Sequence, residues 1–407
     1  MKLLLFDDET ADGWRPFALT RPAGELLFGT LRLRERLERW ADATAAAHLI
    51  RREGASAYAE PGAPPARRPA DVDGAGDGDG GTLLLLSRFV PDRGDGLSIP
   101  DRDRGAVLRH GERVVGAYLP PGRSLPDPEW TASPGPLDDA AAVDVGGRVL
   151  EEVWELVTRN PEQLERDLEG TPLPWPEAEP ADAIEVVGDR PALAAGDVQV
   201  EPGVVADTRP GPVLLGPGVE VTAGTRLEGP LYVGPHSRLL GGKISCSAAG
   251  PYCYLHGEVE ESVVLGYTNK SHHGFLGHSY LGRWVNLGAG TTNSDLKNNY
   301  SPVRIAGPYE QRDTGVLKLG VFLGDHAKTG IGTMLTGGTV MGAGSNVFGG
   351  TVPKWVPPFS WGRGEDLDVH RRRDFLETAS RVLPRRDVEP TEDVREWLAA
   401  AWDEARG

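Results

Sequence analysis

Between residues 183 and 362 apolar side chains return at every sixth position. Leu215, Val221, Leu227, Val233 and Leu239 keep that interval, as do Leu281 and Leu287. Leu317, Leu323, Thr329, Leu335, Met341 and Val347 keep it again. A helix needs apolar residues at a spacing of 3.6 and a lone strand at 2.0. A period of six describes short strands joined by tight turns, each strand turning one apolar side chain inward. Glycine follows Leu215, Val233, Leu281, Leu287, Leu323, Thr329 and Met341, where a turn often needs positive φ. The pattern predicts a hexapeptide β-helix, a solenoid in which each coil covers the next. The interval lapses at Gly241–Gly257 and at Ser294–Val316. Both lapses predict loops on one face, where solenoids place their chemistry.

The first 182 residues follow other patterns and predict a mixed α/β domain. Lys2–Phe6 and Thr82–Leu86 are compact apolar runs and predict strands. Leu26, Leu27, Leu31, Leu33, Leu37 and Trp40, with Arg and Glu between, predict an amphipathic helix. Val149–Val157 and Pro161–Leu168 predict two more helices, the second with proline in its first turn. Ala59–Gly81 is rich in Pro, Ala, Gly and Asp and predicts a loop. Its stretch Asp71–Gly81 lacks the terminal Glu and spacing of an EF-hand, so it reads as solvated linker rather than a calcium loop. Gly170–Asp182 carries four prolines without periodicity and marks the domain boundary. Past 362 the chain turns helical. Thr391 predicts an N-cap, Glu392 and Asp393 follow, and Val394, Trp397, Leu398, Ala401 and Trp402 form one apolar stripe. These residues, 363–407, predict a helical cap on the solenoid.

Composition narrows the partners. The chain has 407 residues, 43 Lys+Arg and 60 Asp+Glu, for a net charge of −17. That argues against nucleic acid and anionic membranes, while phosphorylated small molecules need only a few local cations. No apolar run approaches a membrane helix in length. Met1–Phe6 meets Asp7, Asp8 and Glu9 directly, unlike a signal peptide. Cys246 and Cys253 are too few for a disulfide framework or a four-cysteine zinc site. The expected setting is the cytoplasm, with both thiols reduced.

One stretch gathers chemistry. His272, His273 and His278 lie within seven residues, between Lys270 and Asn286. A histidine near an amine suits proton abstraction. Three histidines also raise a metal site, but no carboxylate or cysteine lies in the same stretch.

The run Asn269-Lys-Ser-His-His-Gly-Phe-Leu-Gly-His-Ser-Tyr-Leu-Gly-Arg-Trp-Val-Asn-Leu-Gly-Ala-Gly-Thr291 resembles the acetyltransferase half of the bifunctional N-acetylglucosamine-1-phosphate uridyltransferase/glucosamine-1-phosphate acetyltransferase family. The likeness is greatest to a divergent bacterial branch described as sugar nucleotidyltransferases. It extends to Phe6-Asp-Asp and Thr20-Arg-Pro-Ala-Gly-Glu25 near the start. The resemblance implies a left-handed parallel β-helix behind an α/β nucleotidyltransferase-like domain, a homotrimer, acetyl-CoA as co-substrate and Mg2+ for nucleotidyl transfer. It implies a sugar phosphate and a nucleoside triphosphate as substrates.

Counting back from Val-Asn-Leu-Gly-Ala-Gly, the family's histidine base falls on His272, with His273 the rival if one residue is inserted. Lys270, His273, His278 and Arg238 are further candidate substrate contacts, and Asn286 matches a sugar-contacting asparagine of the family. Lys270 would serve as a point charge and Arg238 as a fork on the sugar phosphate; solvated surface charge is the alternative for both. For Asn286 the alternative is an internal asparagine ladder. Asn293, Asp295 and Lys297 occupy the loop where the family meets its acyl carrier, and Arg363 is a further candidate for a coenzyme A phosphate. The family's Asn-Tyr-Asp-Gly is replaced here by Ser294-Asp-Leu-Lys-Asn-Asn-Tyr300.

The nucleotidyl half departs further. The family's Gly-rich phosphate loop after the first strand has no counterpart. Arg15 and Arg21 are the candidates for neutralising nucleotide phosphates, and Asp7 and Asp8 for holding Mg2+. The usual metal aspartate is missing from Leu86-Ser-Arg-Phe-Val-Pro-Asp92. Three readings stay open: a bifunctional sugar-phosphate enzyme, a single-function transferase with one degenerate domain, and a non-enzymatic trimeric nucleotide-sugar scaffold.

Overall fold

A computed structural model describes residues 1–72, 80–92, 94, 96–170 and 173–406. Most of the acidic glycine-rich stretch assigned to linker, 73–79, and the start of the proline-rich boundary, 171–172, lie outside the described residues. The chain divides into two compact units. One comprises Met1–Leu26, Leu31–Val153 and Thr391–Gly407; the other comprises Leu27–Thr30 and Trp154–Pro390.

The first unit is built on a seven-stranded sheet. Its strands are β1 (Lys2–Phe6), β2 (Ala45–Leu49), β3 (Ala66–Arg67), β4 (Thr82–Leu86), β5 (Ala106–His110), β6 (Arg113–Leu119) and β7 (Ala141–Asp144). Their order is β7-β5-β6-β4-β1-β2-β3. β1 pairs in parallel with β2 on one side and β4 on the other. Leu3, Leu4, Leu5 and Leu83, Leu84, Leu85 are at most 1 % exposed, as runs apolar on both faces require. The chain leaves β1 for β2, then returns to the far side of β1 as β4. That reversal opens a crevice at the C-terminal ends of β1 and β4, the usual place for a ligand on such sheets.

The second unit is a parallel β-solenoid of the left-handed β-helix class. Coils superpose at the predicted spacing: Leu215 pairs with Val233, Val221 with Leu239 and Leu323 with Met341. These residues fill one continuous apolar core from Ile184 to Val356.

Several expectations change. Leu317 keeps the six-residue interval but is 53 % exposed, because the coil resumes only at Leu319–Val321. Gly241–Gly257 is no loop. Strands Arg238–Ser245 and Tyr254–Glu260 run through it, and the register shift between Leu239 and Gly242 shortens the coil. Ser294–Val316 is an insertion, with its own antiparallel pair Arg304–Ala306 and Gln311–Asp313. The helix expected from Leu26 starts at Leu33. Leu27–Thr30 instead joins the second unit: the Leu27 and Thr30 amides donate to the Tyr280 hydroxyl and to Asp167 Oδ2 at 2.8 and 2.9 Å. Of Val149–Val157 only the end is helical, within Glu155–Thr158.

The divisions at 182 and 363 also differ from the two units. Trp154–Asp182 goes with the solenoid. The segment past 362 is split. It starts as the hairpin Ser360–Arg363 and Asp366–Val369 with helix Arg372–Val382, in the solenoid unit. Helix Glu392–Arg406 belongs to the first unit, where its stripe is buried and Trp397 Nε1 donates to the Thr20 carbonyl at 2.6 Å. Thr391 Oγ1 accepts from the Val394 amide at 3.4 Å, as an N-cap does.

Candidate functional site

Two places collect the predicted residues, one in each unit. In the first, Asp7 and Asp8 follow β1, and Ser87 and Arg88 follow β4, at the sheet's crevice. Asp8 is fully engaged. The Arg88 guanidinium grips it as a fork, Nε to Oδ1 at 2.8 Å and one terminal nitrogen to Oδ2 at 2.5 Å, while Oδ1 also accepts from the Ala11 amide. Arg88 is 2 % exposed and donates further to the Leu150 carbonyl at 2.7 Å. Asp7 accepts from the Ala23 amide at 2.9 Å, and burial pushes its carboxyl up to about 6. A divalent ion needs oxygens whose lone pairs are free and whose charge is uncompensated. At Asp8 a buried guanidinium already supplies the cation, so Asp8 does not fit the Mg2+ role the resemblance implied; Asp7 keeps one buried carboxylate oxygen, Oδ1, without a hydrogen-bond partner among the described residues.

An outcome follows that Mn2+ binding, read by electron paramagnetic resonance, checks. Arg88→Met gains one Mn2+ site, and adding Asp8→Asn removes it. A site already present in the unaltered protein and lost in Asp8→Asn is the contrary result.

Arg21 is 1 % exposed and pairs with Glu60 at 3.0 Å, with its guanidinium over the Tyr58 ring. Arg15 is exposed. Of the two nucleotide candidates, then, one is buried in an ion pair and the other is exposed. The sequence reading passed over the charged cluster on Glu25. Its carboxylate is 0 % exposed and is met by Arg34 at 2.5 Å, Arg32 at 2.8 Å and His48 at 2.9 Å. Burial alone would raise its pKa, but His48, Arg32 and Arg34 together hold it well below the usual carboxylate range.

In the solenoid, His272 and His273 sit exposed at a corner between strands Asn269–Lys270 and Phe275–Gly277. The corner is tight. Gly274 has φ +136°, and a Cβ there would lie 1.9 Å from the Thr291 carbonyl oxygen. One coil earlier, His256 occupies the same corner, its ring edge-on to His273 with centroids 4.6 Å apart. His256 was not among the predicted residues; it lies fourteen positions before Lys270, and only coil stacking brings it here. Burial, and then His273, lower its pKa.

Lys270 takes an inward position, next to Leu255 in the stack, and is 2 % exposed. Its ammonium donates to the His256 and His272 carbonyls at 2.7 and 2.9 Å. Burial lowers its pKa to about 8. It is neither the surface charge nor, in this structure, the exposed phosphate contact anticipated.

Asn286 belongs to a ladder, accepting from Asn269 Nδ2 at 2.9 Å. Lys328 pairs in register with Asn286 one coil on, and burial lowers its pKa to about 8. Arg238 pairs with Glu220 at 2.9 Å and lies over the Tyr254 ring. Asn293 is buried and satisfied by the Gly277 backbone. Lys297 closes its own loop, donating to Ser301 Oγ and the Pro302 carbonyl. Arg363 is exposed on the last coil. Burial pushes the Cys253 thiol up to about 12 and the Cys246 thiol to about 11, so neither is a thiolate at neutral pH.

His278 stands apart from the other two histidines. It is 5 % exposed, with Nδ1 2.8 Å from Asp295 and Nε2 3.3 Å from Glu261. The carboxylates missing from the histidine stretch therefore arrive from elsewhere in the chain. Burial would lower its pKa, but Asp295 and Glu261 outweigh that and hold it at about 9. This imidazolium pins Asp295, at the root of the insertion, to the solenoid. Its folded pKa lies above the ordinary 6.5, so the pairing stabilises fully below pH 6.5 and is lost as pH rises through 9. After allowance for solvent screening, about 2 kcal/mol of stability disappears over that window. Lys270 and Lys328, held at about 8 by burial, shift stability the other way over the same window, so the test is a comparison: between pH 6.5 and 9.5 in denaturant unfolding, the parent loses about 2 kcal/mol relative to His278→Asn.

Residues 3–171 match the family model for sugar nucleotidyl transferase. Over 95 residues, 23% of the chain, it is 33% identical to a bifunctional sugar-1-phosphate nucleotidylyltransferase/acetyltransferase of Sulfurisphaera tokodaii, covering 24% of that protein. Over 86 residues it is 33% identical to the bifunctional protein GlmU of Methanocaldococcus jannaschii, 21% of each chain. Over 145 residues, 35% of the chain, it is 27% identical to the bifunctional protein GlmU of Thermotoga sp. strain RQ2, covering 28% of that protein. The chain spans less than a third of the length of each of these relatives. Its N-terminal part is thus similar to sugar nucleotidyl transferases, and the chain is similar to proteins named for joining nucleotidyl transfer to acetyl transfer.

Proposed function

We propose that the protein is a sugar-phosphate transferase of nucleotide-sugar synthesis. Its solenoid moves an acetyl group from acetyl-CoA to the amine of an amino-sugar 1-phosphate, glucosamine 1-phosphate in the first instance. Its N-terminal unit handles the nucleotidyl step between a nucleoside triphosphate and a sugar 1-phosphate. The observation that carries the reading is the exposed His272–His273 pair on a glycine-tight corner, backed by His256 and a buried Lys270. Amide formation from a thioester needs a neutral base beside the amine, alignment and little else. His272 takes the amine proton as nitrogen attacks the thioester carbonyl; the C–N bond forms, the C–S bond breaks, and coenzyme A leaves as the thiol.

Exposed apolar side chains support a homotrimer. Ile331 is 82 % exposed, and Met334 and Phe348 also face water, which a second copy of the solenoid would cover. No helix among the described residues is long and apolar enough to cross a membrane, and free thiols suit the cytoplasm.

One observation favours a second reading, an acyltransferase whose N-terminal unit binds a nucleotide sugar without making it: Asp8 is closed by Arg88. Two assays on the purified protein separate the readings. Thiol release from acetyl-CoA with glucosamine 1-phosphate tests the acyl half. Pyrophosphate release from a sugar 1-phosphate and each nucleoside triphosphate tests the other. Thiol without pyrophosphate selects the second reading; neither product, from folded protein, refutes both.

A further inference from the structure

An ammonium at an inward position of an apolar stack is costly unless it is paired, and among the described residues no carboxylate pairs with Lys270. The stack above it continues with Leu255, a residue of similar length and no charge. What Lys270 has instead is two backbone carbonyls on successive coils, those of His256 and His272. Gly257 leaves the room for this: at φ +88°, a Cβ there would come within 3.3 Å of Lys270 Nζ.

We infer that Lys270 is a positioning residue that clamps the His272 peptide to the preceding coil and so aims the His272 imidazole at the substrate amine. The inference rests on the acetyl-transfer reading and adds one role to it. Lys270 acts from inside the solenoid, through two carbonyls, and does not touch the sugar phosphate. A clamp of this kind works on orientation, and a displacement of about 1 Å at a reacting group costs about 100-fold in rate.

Lys270→Met tests it, since methionine fills the stack and removes both hydrogen bonds. The expected result is a fall in kcat of about 10- to 100-fold, with KM for glucosamine 1-phosphate within about twofold of the parent, as removal of a transition-state-only effect requires. Amide hydrogen exchange at Ser271–Gly274 rises in the same variant. A raised KM with unchanged kcat and unchanged exchange overturns the clamp and restores Lys270 as a phosphate contact. If the parent protein transfers no acetyl group, the acetyl reading fails by itself. The exchange data then still decide whether the clamp exists: protection unchanged in Lys270→Met refutes it.

Discussion

His272→Ala lowers acetyl transfer by about 100- to 10,000-fold, the range that a positioned general base contributes, while leaving the thermal midpoint within about 1 °C of the parent. Both halves of that expectation come from placement. His272 is exposed, so truncating its ring creates no core cavity. Its carbonyl, which Lys270 holds at 2.9 Å, is kept by any side chain. Loss of rate therefore reports the ring alone. His273→Ala is the internal comparison. The two histidines are neighbours, both exposed, and of the two only His273 packs on the His256 ring. A larger loss in His273→Ala than in His272→Ala transfers the base to His273. The check is thiol release at saturating acetyl-CoA, followed for both variants from pH 6 to 9. If neither substitution changes the rate while the parent is active, the base lies elsewhere and the histidine corner is structural.

Glu25→Gln has the largest expected effect on stability. Glu25 is 0 % exposed and receives Arg32, Arg34 and His48, so one carboxylate neutralises a site where three nitrogen donors converge. Removing one partner of a buried ion network costs about 3–5 kcal/mol; because Arg32 and Arg34 keep Glu35 and Glu38 at 3.2 and 2.8 Å, the expected loss lies at the low end, about 3 kcal/mol. The amide keeps the shape and one acceptor, so what is lost is the charge. Denaturant unfolding monitored by the tryptophans of the first unit gives the value. A loss below about 1 kcal/mol indicates that solvent reaches the cluster. The pH sign follows from Glu25 itself: its depressed pKa means that its contribution is present above the ordinary carboxylate pKa and fades as pH falls below it.

The six-residue interval made most of the solenoid legible. Each inward position must be apolar for the coil above and below, so the constraint repeats along the chain and survives in sequence. It misled at Leu317, where the interval continued by chance into an insertion. It also misled at Gly241–Gly257, where a shortened coil looks like a gap although strand pairing resumes past the register shift. The amphipathic run from Leu26 misled differently. Leu27 is buried, but by a contact with Tyr280 hundreds of positions away, and periodicity does not distinguish burial on a helix face from burial in a tucked turn.

Residue types and local spacing, then, determined by themselves that this chain carries an α/β part, a hexapeptide solenoid and a histidine-rich stretch suited to moving a proton. Those are properties of neighbours in sequence, set by turn chemistry and repeat packing. Which charges are free to act was decided only by the tertiary structure. Asp8 reads as a metal ligand until Arg88, eighty positions on, takes both its oxygens. Lys270 reads as a surface cation until the stack turns it inward onto two carbonyls. His278 reads as one of three equivalent histidines until Glu261 and Asp295 enclose it. A side chain's charge is written in the sequence, but its solvation and its partners are set by what folding brings within about 3 Å of it.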